Sequence, residues 1–154
     1  MYGYLLIIHS YLRWIALGFL LFGLIFISIK KSKKALYTIK DYRLFKVIKN
    51  VFNLQFLVGI LLLTQSPMVK AFWSQVSQAV KWREIRFFGL EHPFMMILGV
   101  LLLNVFTDKT KDKIGTDTAF KYLFVRYLII LFILFVSVPW SFSPFTARPN
   151  FRFF

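Results

Sequence analysis

The sequence predicts an all-α integral membrane protein. It is an up-down four-helix bundle with a short amphipathic helix between spans two and three. Three observations carry that expectation. The chain of 154 residues is 58% hydrophobic and only 17% charged, where soluble domains run at about 45–50% apolar and roughly 25% charged. Four apolar runs approach the ~20 residues that a helix needs to cross a bilayer. The basic residues collect in short segments between those runs. A net charge of +14 would suggest nucleic acid for a soluble protein, but this clustering reads as a topology signal. The expected partner is the lipid bilayer, with no nucleic acid. There is no cysteine, so disulfides, thiolate metal sites and cysteine nucleophiles are excluded.

The first span covers residues 3–29. It is too long for the oily core of a signal peptide, has no basic residue before it and lacks a small-residue cleavage site, so it reads as a retained span. Loop one carries Lys30, Lys31, Lys33, Lys34, Lys40, Arg43, Lys46 and Lys49. The second span is 47–65. Residues 68–84 form the expected interfacial helix, because Val69, Phe72, Trp73, Val76 and Val80 recur at helical spacing among polar residues. The third span is 87–107, expected to be a kinked helix starting near Arg86, with Pro93 inside it. Loop three and the start of the fourth span carry Lys109, Lys111, Lys113, Lys121 and Arg126. The fourth span is 120–138, closed by Pro139 and Trp140. The outer tail, 139–154, is aromatic and ends in Phe151-Arg152-Phe153-Phe154, which suits an interfacial anchor or a contact with a partner subunit.

Loops one and three hold thirteen basic residues. The opposite side holds Lys70, Lys81, Arg83, Arg86, Arg148 and Arg152. The richer side is expected to be cytoplasmic, which puts both termini outside and runs spans one and three in the same direction.

Ionisable residues inside spans are costly, and they mostly face the bundle interior in pairs. His9 and Arg13 are four apart and share a helix face. Ala16, Leu20 and Gly23 continue that stripe with small residues of the kind that let membrane helices approach. His92, Met96, Gly99 and Leu103 form the equivalent stripe on span three, with Glu91 one position round. At about 1.5 Å per residue both imidazoles lie roughly 7–9 Å below the outer surface. Spans one and three sit on a diagonal of an up-down bundle, and bundle cores can hold metals and haem. Two neutral imidazoles can ligate a haem iron from both faces, a closed site suited to electron transfer. The alternative is a structural polar cluster, in which Arg13 and Glu91 pair and the histidines hydrogen-bond around them. Proton or ion passage through Glu91 and the histidines is a third reading.

The stretches "IIHSYLRW", "NLQFLVGILLLTQSP", "RFFGLEHPFMMILGVLLLN" and "VPWSF" resemble a family of small bacterial four-span membrane proteins labelled cytochrome b-like. The resemblance implies a four-helix protein of the bacterial inner membrane, binding haem b or no cofactor. It places His9, Arg13, Glu91 and His92 at the family's motif positions. In that family a histidine often precedes the Leu-Gln of span two, where this chain has Asn53. Haem binding is weakened if that histidine is a ligand, and survives if His9 and His92 are the iron ligands. With haem present, Arg13, Arg83 and Arg86 are candidate partners for its propionates, since guanidinium binds carboxylates in a paired geometry. Gly23, Gly59 and Gly99 would let a macrocycle approach the backbone.

The leading expectation is therefore a small b-type cytochrome-like protein relaying electrons near the outer face. The others are a cofactor-free accessory subunit of a larger membrane complex and a proton or ion carrier. A hydrolytic enzyme is not expected, because there is no nucleophile elbow, no HExxH pair, no carboxylate dyad and no Gly-rich phosphate loop.

Overall fold

A computed structural model describes residues 1–143 and 146. Most of the aromatic tail, with Arg148 and Phe151-Arg152-Phe153-Phe154, lies outside the described residues. Four helices are long and apolar enough to cross a membrane: Tyr2–Ser32, Ile39–Gln65, the continuous run Arg83–Lys113 and Thr118–Ser137.

Helix α1 (Tyr2–Ser32) contains no proline to interrupt it, and its buried line runs through Ala16, Leu20, Gly23 and Ile27. Helix α2 (Ile39–Gln65) starts well before the apolar run at 47 that marks span two in the sequence. The cause is a capping box. Thr38 Oγ1 accepts the Asp41 N–H at 3.3 Å, and the Asp41 carboxylate accepts the Thr38 N–H at 2.7 Å. Two orphan donors are satisfied at once, so most of the lysine-rich "loop one" is helix.

The interfacial helix expected over 68–84 is three short pieces: α3 (Pro67–Ser74), α4 (Val76–Ala79) and α5 (Arg83–Arg86). Ser66 caps α3 by accepting the Val69 N–H. Gln75 leaves helical angles (φ −144, ψ 62), which ends the first piece. Of the apolar stripe only Val69 and Phe72 are buried, while Trp73, Val76 and Val80 are exposed. Contact through Val69 and Phe72 holds α3 down, and the break at Gln75 keeps the later pieces from continuing it as a single rod.

Helix α5 runs through a π-helical turn, Phe87–Glu91, into α6 (His92–Asp108). Proline lacks an N–H and its ring clashes with the carbonyl four residues back. The widened turn makes room for it: the His92 N–H reaches back five residues to the Phe87 carbonyl. The span thus passes through Pro93 unbroken, as a helix starting near Arg86 required. Such π-turns are rare and frequent at functional sites.

Helix α7 (Thr118–Ser137) completes the bundle. Both α1 and α6 pack on α2 and α7, which places α1 and α6 on a diagonal. The end that carries loops one and three is filled solidly. Tyr37 and Phe120 meet edge-on at 5.2 Å, and Phe45 and Tyr127 at 5.5 Å. Burial pushes the Tyr37 phenol up from its ordinary pKa, so it stays protonated and donates to Thr110 Oγ1 at 2.9 Å, while Thr110 donates to the Thr107 carbonyl. The loops are joined by Tyr37 N–H to Thr116 O at 2.9 Å and Gly115 N–H to Tyr37 O at 2.7 Å. In the same half, α2 and α6 are fastened by Lys49 to Asp108 at 2.6 Å and by reciprocal amide bonds between Asn53 and Asn104 at 3.2 and 2.8 Å. The open volume is therefore at the other end.

Candidate functional site in the membrane half that carries the N-terminus

A cavity of about 260 Å³ lies between α1, α2 and α6, with Leu134 of α7 and Val138 just after it also on its wall. Most of the lining is aliphatic and aromatic. The polar groups on it are Tyr2, His9, Arg13, Gln55, Ser66 and His92. A mostly apolar pocket with a few converging polar groups is the common form of a small-molecule site, and the space between bundle helices is a common place for one.

His92 comes from the first turn of α6. Its Nδ1 is 2.8 Å from the Ser137 carbonyl on α7. A carbonyl only accepts, so Nδ1 carries the proton and the neutral ring keeps its lone pair on Nε2. Phe87 and Phe88 flank the ring, with centroids at 5.8 and 6.3 Å. A ring nitrogen fixed by a carbonyl is how ligating histidines are commonly oriented.

His9 is held differently. The Gln55 amide nitrogen donates to the His9 backbone carbonyl at 3.0 Å and stands 3.3 Å from Nε2. Nε2 therefore accepts, and Nδ1 carries the proton, buried without a hydrogen-bond partner among the described residues. The ring lies against α2 at Gly59, where an added Cβ would be 3.3 Å from His9 Cε1 and 3.8 Å from Nδ1. His9 is thus turned to span two rather than across the diagonal to His92.

Two pairings differ from those expected. Glu91 is not neutralised by Arg13. Its carboxylate accepts from Arg86 Nε at 2.6 Å. Arg86 and Glu91 are five residues apart, and the π-turn brings that spacing onto one face. Arg13 lines the cavity instead, with its guanidinium 5.5 Å from the Trp14 ring centroid. Arg86 also donates to the Val80 carbonyl at 3.1 Å, and neither it nor Arg83 lines the cavity. Of the three arginines expected near a haem, only Arg13 is placed to face an anionic group there.

The glycines also serve packing. A Cβ at Gly23 would come within 2.9 Å of Ile48 Cδ1, and one at Gly99 within 3.5 Å of Ile133 Cγ2. Asn53 bonds Asn104 and is not on the cavity wall. A residue at 53 is thus aimed at the α2–α6 seam.

A b-type haem meets these residues only in part. His92 satisfies the requirement for an oriented ligand. His9 does not, with Nε2 engaged by Gln55 and Nδ1 against α2. The volume is also short: a cavity of roughly 150 Å³ holds benzene, and a macrocycle of four pyrrole rings needs several times that. The two-imidazole haem clamp is not seated by this arrangement. Among the described residues no three His, Asp or Glu side chains converge to hold a bare metal ion.

Gln55 is the residue that motif reading left without a role. Its signal was a second carboxamide, two residues after Asn53, in the otherwise apolar stretch "NLQFLVGILLL". Comparison with family models, characterised proteins and solved structures finds no match for this chain.

Proposed function

We propose that the protein binds a lipophilic, redox-active molecule in this cavity and takes part in electron transfer at the membrane face that carries its N-terminus. One observation carries the reading. His9, Arg13, Gln55 and His92 come from three different helices and meet on the wall of one otherwise apolar cavity inside the membrane-spanning part. Polar groups inside a membrane span are costly and mark functional sites, and His9 Nδ1 and Gln55 Oε1 are buried without a hydrogen-bond partner among the described residues. The redox character rests on the resemblance of the stretches around His9 and His92 to the cytochrome b-like family. By the distribution of lysine and arginine, both termini face outward and the cavity lies in the outer half of a bacterial inner membrane. The test is solvent extraction and mass spectrometry of the purified full chain, beside a Met96→Trp variant that fills the cavity. A redox-active lipophile should accompany the wild type at near one per chain and be lost from the variant. Equal content in both proteins overturns the reading.

A haem-bound form is the second reading, favoured by the fixed His92 ring alone. It would supply a one-electron iron couple, with Arg13 facing a propionate. A reduced-minus-oxidised b-type band that His92→Ala abolishes supports it. No band in protein made with ample haem rejects it.

A further inference from the structure

We infer that the ligand is a lipid-soluble hydroquinone, one aromatic ring with two hydroxyls and a hydrocarbon tail, which enters sideways from the bilayer between α2 and α6. This rests on the proposed binding role of the cavity and names its ligand class.

The route comes from the wall. Ile60 on α2 and Ile97 on α6 line the cavity and are 41% and 46% exposed. Residues that line a cavity and stay this open mark a thin or open stretch of its wall, here between two helices apolar enough to cross a membrane. Farther along the same seam the helices are locked by Asn53–Asn104 and Lys49–Asp108. The seam therefore parts only in the half that holds the cavity. A molecule already dissolved in the bilayer reaches the polar groups without crossing water.

The size comes from the volume. If roughly 150 Å³ holds one benzene ring, then about 260 Å³ holds one substituted ring. A tail has to lie in the Ile60–Ile97 opening.

The head group comes from hydrogen-bond capacity. His92 Nδ1 is spent on Ser137, so Nε2 is an acceptor. Gln55 directs its amide nitrogen at His9, which leaves its carbonyl oxygen Oε1 buried without a donor among the described residues. Two acceptors from different helices call for a ligand with two donors, and the buried His9 Nδ1 proton calls for an acceptor, which a hydroxyl oxygen also supplies. A fatty acid supplies at most one, and a quinone supplies none. A hydroquinone supplies two on opposite edges of a small ring.

The experiment measures binding of three probes to the full chain in nanodiscs: decyl-hydroquinone kept reduced, the corresponding decyl-quinone, and decylbenzene. The hydroquinone should bind about tenfold or more tighter than the quinone, because oxidation sets acceptors against acceptors in a buried site. His92→Phe and Gln55→Leu keep side-chain volume and should each bring the two forms close to parity. Ile60→Trp combined with Ile97→Trp leaves the polar groups intact and should slow or abolish uptake of both forms. Equal affinity for hydroquinone, quinone and decylbenzene overturns the head-group assignment. Unchanged uptake by the double tryptophan variant overturns the lateral route. Failure of all three probes to bind overturns the cavity's proposed binding role itself. The wild-type comparison stands even where a variant does not fold.

Discussion

At the scale of single residues, Glu91, His9 and His92 found nearby partners on geometry that motif spacing does not show. Glu91 pairs with Arg86, and their side chains are 35% and 39% exposed. Pairs open to that degree couple by about 0.2–1 kcal/mol. A double-mutant cycle with Arg86→Leu and Glu91→Leu, read as melting temperature in detergent, should show coupling of that size. The same cycle with Arg13 and Glu91 should be additive, and strong coupling there would restore the pairing that the sequence suggested. Asn53 and Asn104 exchange two amide bonds across α2 and α6. Hydrogen bonds between membrane helices average about 0.6 kcal/mol and reach about 1.7. Asn53→Leu or Asn104→Leu alone leaves an amide facing hydrocarbon, so the double variant should be more stable than the sum of the singles. Strict additivity would mean that the two amides do not depend on each other.

At the scale of elements, the attachment of α3 to the π-turn is the most sensitive joint. A Cβ at Gly89 would meet Phe72 Cβ and Cγ, the rigid base of that ring rather than a flexible tip. Overpacking of this kind costs about 1–3 kcal/mol, and a chain of this size loses roughly 2–4 °C of melting temperature per kcal/mol. Gly89→Ala should therefore lower the melting temperature by several degrees, and Phe72→Ala in the same chain should return part of the loss. Gly23→Ala should cost less, although its Cβ would lie 2.9 Å from Ile48 Cδ1, because that atom is the free end of a side chain. A larger loss at Gly23 than at Gly89 would contradict this ordering. Val69 and Ser66 also line the cavity, so loosening α3 should weaken ligand binding along with stability.

At the scale of the whole molecule, the two ends differ in packing. The end bearing loops one and three is closed by aromatic contacts and by backbone bonds between Tyr37, Gly115 and Thr116. The end bearing the N-terminus holds the cavity. Thirteen of the basic residues named above belong to the closed end. A reporter active only in the cytoplasm should be silent when fused after Phe154 and active when inserted near Gly115, which has φ +88 and open space around it. The reverse pattern would move the cavity to the inner leaflet.

The four spans, their number and their apolar nature were legible in the sequence because bilayer thickness imposes a length and a composition on each run. The diagonal placement of spans one and three also followed, since short loops force neighbours to be antiparallel. Helix ends were less legible. α2 extends into a lysine-rich segment because the Thr38–Asp41 cap, not hydropathy, sets its start. His9 and His92 could be named from the sequence as inward-facing, but periodicity assigns a face and not a partner. Only the tertiary structure decided that His9 turns to Gln55 and Gly59, that His92 is fixed by Ser137, and that Arg86 claims Glu91. Those choices depend on helix rotation and on the extra residue in the π-turn at Phe87–Glu91, and both are set by side-chain packing between helices distant in the chain.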